Sequence, residues 1–248
     1  MRKRKDISGV RLMQRLFVFV MFIVVHGCAL PTMKPIALTP KTNALNLQKE
    51  SVALLTVRTS NQYKPDYQPY VWRVVVVTND GRVKKTNYRF GDLVGGLERF
   101  EEIKGQFNEY LISLSLPAGN YKLTFIKGTG SVTARGNFDI PVFADFELPP
   151  NKIVYLGRIE ATLRERKSSS ELRGGPEGPL LDQLFTGFYA GTFDIVIYDN
   201  YDKDISLFKQ KYVLLNNFTI EKAILPPWKQ PSEDELKNFE EDFPYLKN

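Results

Sequence analysis

Between residues 51 and 198 apolar positions come in short runs rich in Val, Ile, Tyr and Phe, each closed by Gly, Pro, Asn or Asp, the pattern of strands joined by turns. Eight strands are expected. Residues 52–59 and 71–78 are apolar on both parities, which predicts central strands covered on both faces. Asn79, Asp80 and Gly81 predict a hairpin turn, because Gly accepts the positive φ such a turn requires. The run after it, 82–90, carries Lys84, Lys85 and Arg89 and reads as a sheet edge guarded by charge. Residues 110–116 place Tyr110, Ile112, Leu114 and Leu116 on one face, and residues 121–127 place Tyr121, Leu123 and Phe125 on one face. The run 132–142 turns Phe138, Ile140 and Val142 inward. Residues 152–164 alternate through Ile153, Tyr155, Ile159, Ala161 and Leu163, and 193–198 completes the set. This spacing predicts a mainly β chain, an antiparallel β-sandwich around one core over residues 51–198. Two insertions interrupt it. The first, 91–106, groups Glu98, Glu101 and Glu102 near Phe100 and Ile103 and predicts a short helix across one end. The second, 168–183, is rich in Ser, Gly and Pro and predicts a mobile loop.

The period then changes. Ile205, Phe208, Tyr212 and Leu215 are spaced for one helical face, with Asp202 and Asp204 at the N-terminal end, where the helix dipole favours negative charge. The same spacing returns 31 residues later in Leu236, Phe239, Phe243 and Leu246, preceded by Ser232 and Glu235 in the order of a capping box. Residues 199–248 therefore form a short helical segment. Its last helix either packs on the sandwich or docks a partner through Phe239 and Phe243.

At the other terminus a basic stretch (Arg2, Lys3, Arg4, Lys5, Arg11, Arg15) precedes an apolar run over residues 16–25, too short to span a bilayer, followed by His26, Gly27 and Cys28. The arrangement resembles the lipobox of bacterial lipoproteins: an aliphatic residue at −3, a small one at −1, then the cysteine that is acylated before cleavage. His26 departs from the usual choice at −2. The resemblance implies that residues 1–27 are a signal peptide cut between Gly27 and Cys28. Cys28 would carry the covalent lipid, and residues 28–50, with Pro31, Pro35 and Pro40, would form a tether. Several acyl chains hold a protein on a membrane where one binds only marginally. Ala29 stands where Asp would favour inner-membrane retention, so the outer membrane is expected.

Cleavage would remove six Lys/Arg and one Asp, bringing a net charge of +6 to about +1. Net basicity then gives no reason to expect nucleic acid as a partner. His26 is the only histidine and Cys28 the only cysteine, so the mature chain would lack imidazole and a free thiol. That leaves no basis for Ser-His-Asp or Cys-His catalysis or for zinc sites built on those ligands. No catalytic residue, metal site or cofactor beyond the lipid is expected.

Leu116-Pro117-Ala118-Gly119-Asn120-Tyr121 resembles the hairpin turn of transthyretin-like or carboxypeptidase-regulatory-like sandwiches in bacterial envelope proteins. Lys152 to Gly157 is similar to a strand of lipoproteins that carry such domains. The resemblance covers about a fifth of the chain and implies a prealbumin-like sandwich without family catalytic residues. Tyr63, Tyr67, Tyr70 and Trp72, interleaved with Lys64, Pro65, Asp66 and Pro69, form the strongest candidate contact loop, suited to a protein interface or to stacking on sugar rings. Asp194, Asp199, Asp202 and Asp204 lack the Gly and closing Glu of a calcium loop. Ser206 and Lys209 lack the companion motifs of penicillin-binding enzymes. The expected function is a membrane-anchored, non-enzymatic binding or structural module of the envelope, with another envelope protein or a glycan as partner. The competing expectation is a hydrolase using Glu98, Glu101 or Asp199 as acid and base.

Overall fold

The computed structural model describes residues 32–79, 86–91, 97–103, 105–130, 136–176 and 185–243. Lys84, Lys85, Leu246 and most of the 79–81 turn lie outside them. The strands are β1 (Thr32–Lys34), β2 (Ser51–Asn61), β3 (Tyr70–Thr78), β4 (Asn87–Gly91), β5 (Glu101–Ile103), β6 (Phe107–Leu116), β7 (Gly119–Thr129), β8 (Asn137–Leu148), β9 (Ile153–Glu165), β10 (Gly191–Tyr198) and β11 (Ile220–Lys222). Helix α1 spans Tyr201–Lys211, a 3₁₀ turn follows at Val213–Asn217, and α2 spans Glu233–Asp242. The strands form two packed sheets. Sheet A has the order β1-β4-β3-β7-β8, and sheet B the order β10-β9-β2-β6-β5 with β11 also on β9. Most pairs are antiparallel, but β1–β4, β2–β9 and β11–β9 are parallel, so the sandwich is mixed and not purely antiparallel.

The two runs that are apolar on both parities are the central strands. From β2, Ala53, Leu55 and Val57 enter the core between the sheets, while Val52 and Leu54 face outward under α1. From β3, Val74 and Val76 point inward and Val75 and Val77 outward under α2. Each sheet therefore carries a helix on its outer face, which removes the second apolar parity from water. Ile205, Phe208, Tyr212 and Leu215 are all buried on sheet B, as the helical spacing predicts. The Ser232–Glu235 capping box is formed at the start of α2.

Two strands change face midway. β9 inserts an extra residue opposite Leu54–Thr56, and Gly157 there has φ +112°, a conformation open to glycine. Ile153 and Tyr155 consequently lie on the outer face, whereas Ile159, Ala161 and Leu163 lie in the inter-sheet core. In β7 a register shift at Thr124 leaves Tyr121 and Leu123 inward but turns Phe125 outward, to meet Phe143 edge-on at 5.1 Å. Phe143 itself has φ +48°, a strained geometry for a bulky residue that aims its ring at α2.

Three other expectations are corrected. β4 is not an edge, because β1 pairs along it from Thr32 opposite Tyr88, and Arg89 is buried. In the 91–106 insertion, residues 101–103 form strand β5 on β6, not a helix. The expected tether over 28–50 is not a free spacer from Thr32 on: Lys34 pairs with Glu50, the Ala37 amide donates to the Ser113 carbonyl, and Leu38 is fully buried.

The 117–118 and 149–152 turns lie at one end of the sandwich, joined there by the Ser51 hydroxyl, which donates to the Pro149 carbonyl at 2.6 Å. The β3–β4 connection leaves at the same end, where the Asn79 amide donates to the Asn120 carbonyl. The β2–β3, β4–β5, β7–β8 and β9–β10 connections all leave at the opposite end. These are the turn end and the loop end.

Candidate functional site

At the loop end the 62–69 connection is held from inside by Asn61, which is 1% exposed. Its side-chain amide donates to the carbonyls of Tyr67 (2.9 Å) and Thr186 (3.0 Å), and its side-chain oxygen accepts from the Lys64 amide (2.7 Å). Gln68 closes the loop again by accepting from the Asn61 amide and donating to the Pro65 carbonyl. Thr59 and Asn108 both donate to the Pro69 carbonyl. With its polar groups satisfied internally, the loop presents a fixed conformation instead of paying ordering entropy on contact.

The candidate aromatics are distributed around this frame. Tyr70 is half-buried, edge-on to Tyr110 at 6.5 Å and covered by the Arg99 guanidinium at 5.2 Å. Tyr63 lies against Gly187, where a Cβ would come within 2.7 Å of the ring, and takes the Lys64 ammonium at 4.9 Å. Tyr67 is half-buried. Trp72 occupies a bulge between Val71 and Arg73 and is turned to solvent, 41% exposed. Bulges re-aim side chains in this way beside functional surfaces. Phe185, 57% exposed, joins the same end through its neighbour Thr186. Sequence reasoning missed Phe185, because nothing local distinguishes an exposed Phe from a core one.

Phe239 and Phe243, the other candidate contacts, are occupied within the chain. They are 9% and 2% exposed and pack on Val75, Val77, Phe125 and Phe143, so this face of α2 offers nothing to a partner in this conformation. Cys28 and Gly27 lie outside the described residues. Glu98 reaches Lys211 at the last residue of α1 (3.4 Å), while Asp199 stands before its first residue and binds Lys222 (2.6 Å). The two carboxylates thus engage different lysines, one at each end of an 11-residue helix about 16 Å long. Glu101 is exposed on β5. Asp199 is held below the ordinary carboxylate range by Lys222 and by the Tyr201 amide.

The strongest electrostatic feature was not legible in the sequence. The bulge at Gly157 brings Arg158 to the outer face beside Tyr155, beneath α1. The buried guanidinium donates to Asp204 at 2.6 Å and to Glu109 at 2.6 Å, and the Tyr155 hydroxyl donates to the other Asp204 oxygen at 2.6 Å. Arg58 and Asn200 complete the shell of Glu109 and Asp204. Burial alone would lower the Arg158 pKa, but the bonds to Asp204 and Glu109 outweigh it and raise it. Burial, then Asp204, pushes the Tyr155 hydroxyl up as well. Every charge faces an opposite one, which makes the cluster a clamp for α1.

Two cavities accompany these features. One of about 80 Å³ lies between β8, β10 and the segment at Trp228, where Arg164 is saturated by Glu171 and Asp194, and Glu171 is held down at about 2 chiefly by Arg164. The second, about 170 Å³, runs beneath α2 between Lys122, Asn79, Asn238 and the Phe143–Phe239 pair. Among the described residues no helix is long and apolar enough to cross a membrane, and no group of three or more His, Cys, Asp or Glu is placed to hold a metal. Compared with known proteins, the chain matches no family model, no curated protein and no solved structure.

Proposed function

We propose that this chain is an outer-membrane lipoprotein, acylated on Cys28, whose transthyretin-like sandwich is a non-enzymatic module that binds another envelope protein. The binding surface is the loop end, with Trp72 and Phe185 as exposed anchors and the Arg99–Tyr70 stack beside them. The observation that supports this most is the combination at one end of a bulge that turns Trp72 outward and a loop pre-set by buried Asn61. Aromatic and Arg anchors on a rigid frame are what protein hot spots are made of. A glycan platform, the second reading, would use Tyr63, Tyr67 and Tyr70 as one row. Tyr63 and Tyr70 instead engage separate neighbours, Gly187 and Tyr110, which favours a protein partner.

The test is photocrosslinking in cells from an amino acid placed at Asp66, with Glu147 near the turn end as the reference position. A discrete protein adduct from position 66, absent from position 147 and lost in Trp72→Ala and Cys28→Ala chains, is the expected result. Adducts to glycan alone would transfer the surface to the second reading. No adduct from position 66, or one indifferent to Trp72→Ala, would contradict the binding surface.

A further inference from the structure

We infer that the turn end of the sandwich, formed by residues 117–120 and 149–152, rests against the lipid headgroups, and that the loop end is held away from the bilayer. The inference rests on the acylation of Cys28 proposed above and adds an orientation to it. β1 is parallel to β4 and starts opposite Tyr88. The Tyr88 ring meets Tyr121 edge-on at 6.2 Å, and the Tyr121 hydroxyl donates to the Pro117 carbonyl at 2.7 Å. The chain thus enters the fold in the turn-end half of sheet A, level with Leu123, and runs toward the loop end, with the Lys34 ammonium donating to the Ser115 carbonyl and the Ala37 amide to the Ser113 carbonyl as it goes.

Only four peptide units separate Cys28 from Thr32, a reach of about 14 Å when fully extended. A lipid on Cys28 therefore cannot be far from the turn end. Strand β9, 13 residues long, sets the other end about 40 Å further along. A long tether would leave the sandwich free to tumble, but the tie of residues 32–38 to sheets A and B takes that freedom away. The surface chemistry agrees. Pro117, Ala118, Asn120, Pro150 and Asn151, all uncharged, are exposed at that end. The partner then meets the loop end within about 55 Å of the same bilayer.

The mature chain has no cysteine except the acylated one, so single labels are unambiguous. The full chain, purified with its lipid, is reconstituted in phosphatidylethanolamine–phosphatidylglycerol vesicles with a fluorophore on Ala118→Cys, Pro150→Cys, Gln62→Cys or Asn137→Cys. Quenching by a headgroup-linked nitroxide is then read. Several-fold stronger quenching at positions 118 and 150 than at 62 and 137 is expected. Inserting about 20 Gly/Ser residues after Pro31 adds roughly 25 Å of flexible reach and should flatten that difference. Equal quenching at both ends in a vesicle-bound chain, or the reverse order, overturns the orientation while leaving acylation standing. A chain that does not stay with the vesicles and shows no quenching at any position overturns both.

Discussion

α1 and α2 carry the same spacing of large apolar residues, and each covers the outer face of one sheet, but they are fastened differently. α1 lays Ile205, Phe208 and Tyr212 on Val52, Leu54 and Tyr155, and is also clamped through Asp204 to buried Arg158. α2 rests on sheet A through Phe239 and Phe243, with its own start stabilised by Ser232 and Glu235 and one longer ion pair from Glu235 to Lys122 at 3.5 Å. Apolar periodicity decides that a helix will cover a face. What decides how firmly it is held lies outside that periodicity, in a buried charge for α1 and in a strained Phe143 for α2.

The largest effect should come from breaking the clamp. Asp204→Ala leaves Arg158 without half of its partners in a buried site and should cost about 3–5 kcal/mol, read as a lower urea midpoint for the whole domain. Phe239→Ala should cost about 3 kcal/mol, the low end for a buried Phe, because α2 can relax outward at the surface. Its signature should be local: proteolysis in the 223–231 segment rises while the β-sheet circular dichroism persists. If both variants unfold the domain alike, the two helices are not fastened differently. Ser232→Ala removes the α2 cap and should cost about 1 kcal/mol. Acid should act at the same place. The Glu235 carboxyl is held below its ordinary 4.5, first by the Ser232 amide and then by Lys122. A depressed carboxylate stabilises fully above its unfolded pKa, so cleavage in 223–231 should rise as pH falls below about 4.5. Trp72→Ala should be smallest, under about 1 kcal/mol, because the residue sits on a bulge outside the core and is already 41% exposed.

Much of the sandwich was legible because strand periodicity reports burial directly. The central places of β2 and β3 follow from their two apolar parities, and the inward faces of β6 and β8 from strict alternation. Periodicity fails where a bulge resets it. Gly157 and Thr124 flip the faces of β9 and β7; a lone Gly inside a strand hints at a bulge, but the apolar run around it does not say which residues change face, and a lone Thr gives no such hint. β1 and β11 pair over only three residues each, too few to show a period. Arg158, Glu109 and Asp204 occupy positions that read as solvent-facing, and become buried only because α1 folds back over sheet B. The candidate surface was half legible. Tyr63 to Trp72 stood out by composition, but which aromatic faces water depends on Gly187, Tyr110 and the Trp72 bulge, which the sequence does not bring together.

Intact-mass spectrometry of the protein extracted from membranes tests the proposed lipid at Cys28 most directly. The expected species lacks residues 1–27 and carries a diacylglyceryl group and a further acyl chain on Cys28. A membrane-extracted chain that retains residues 1–27, or one beginning at an unmodified Cys28, would contradict it.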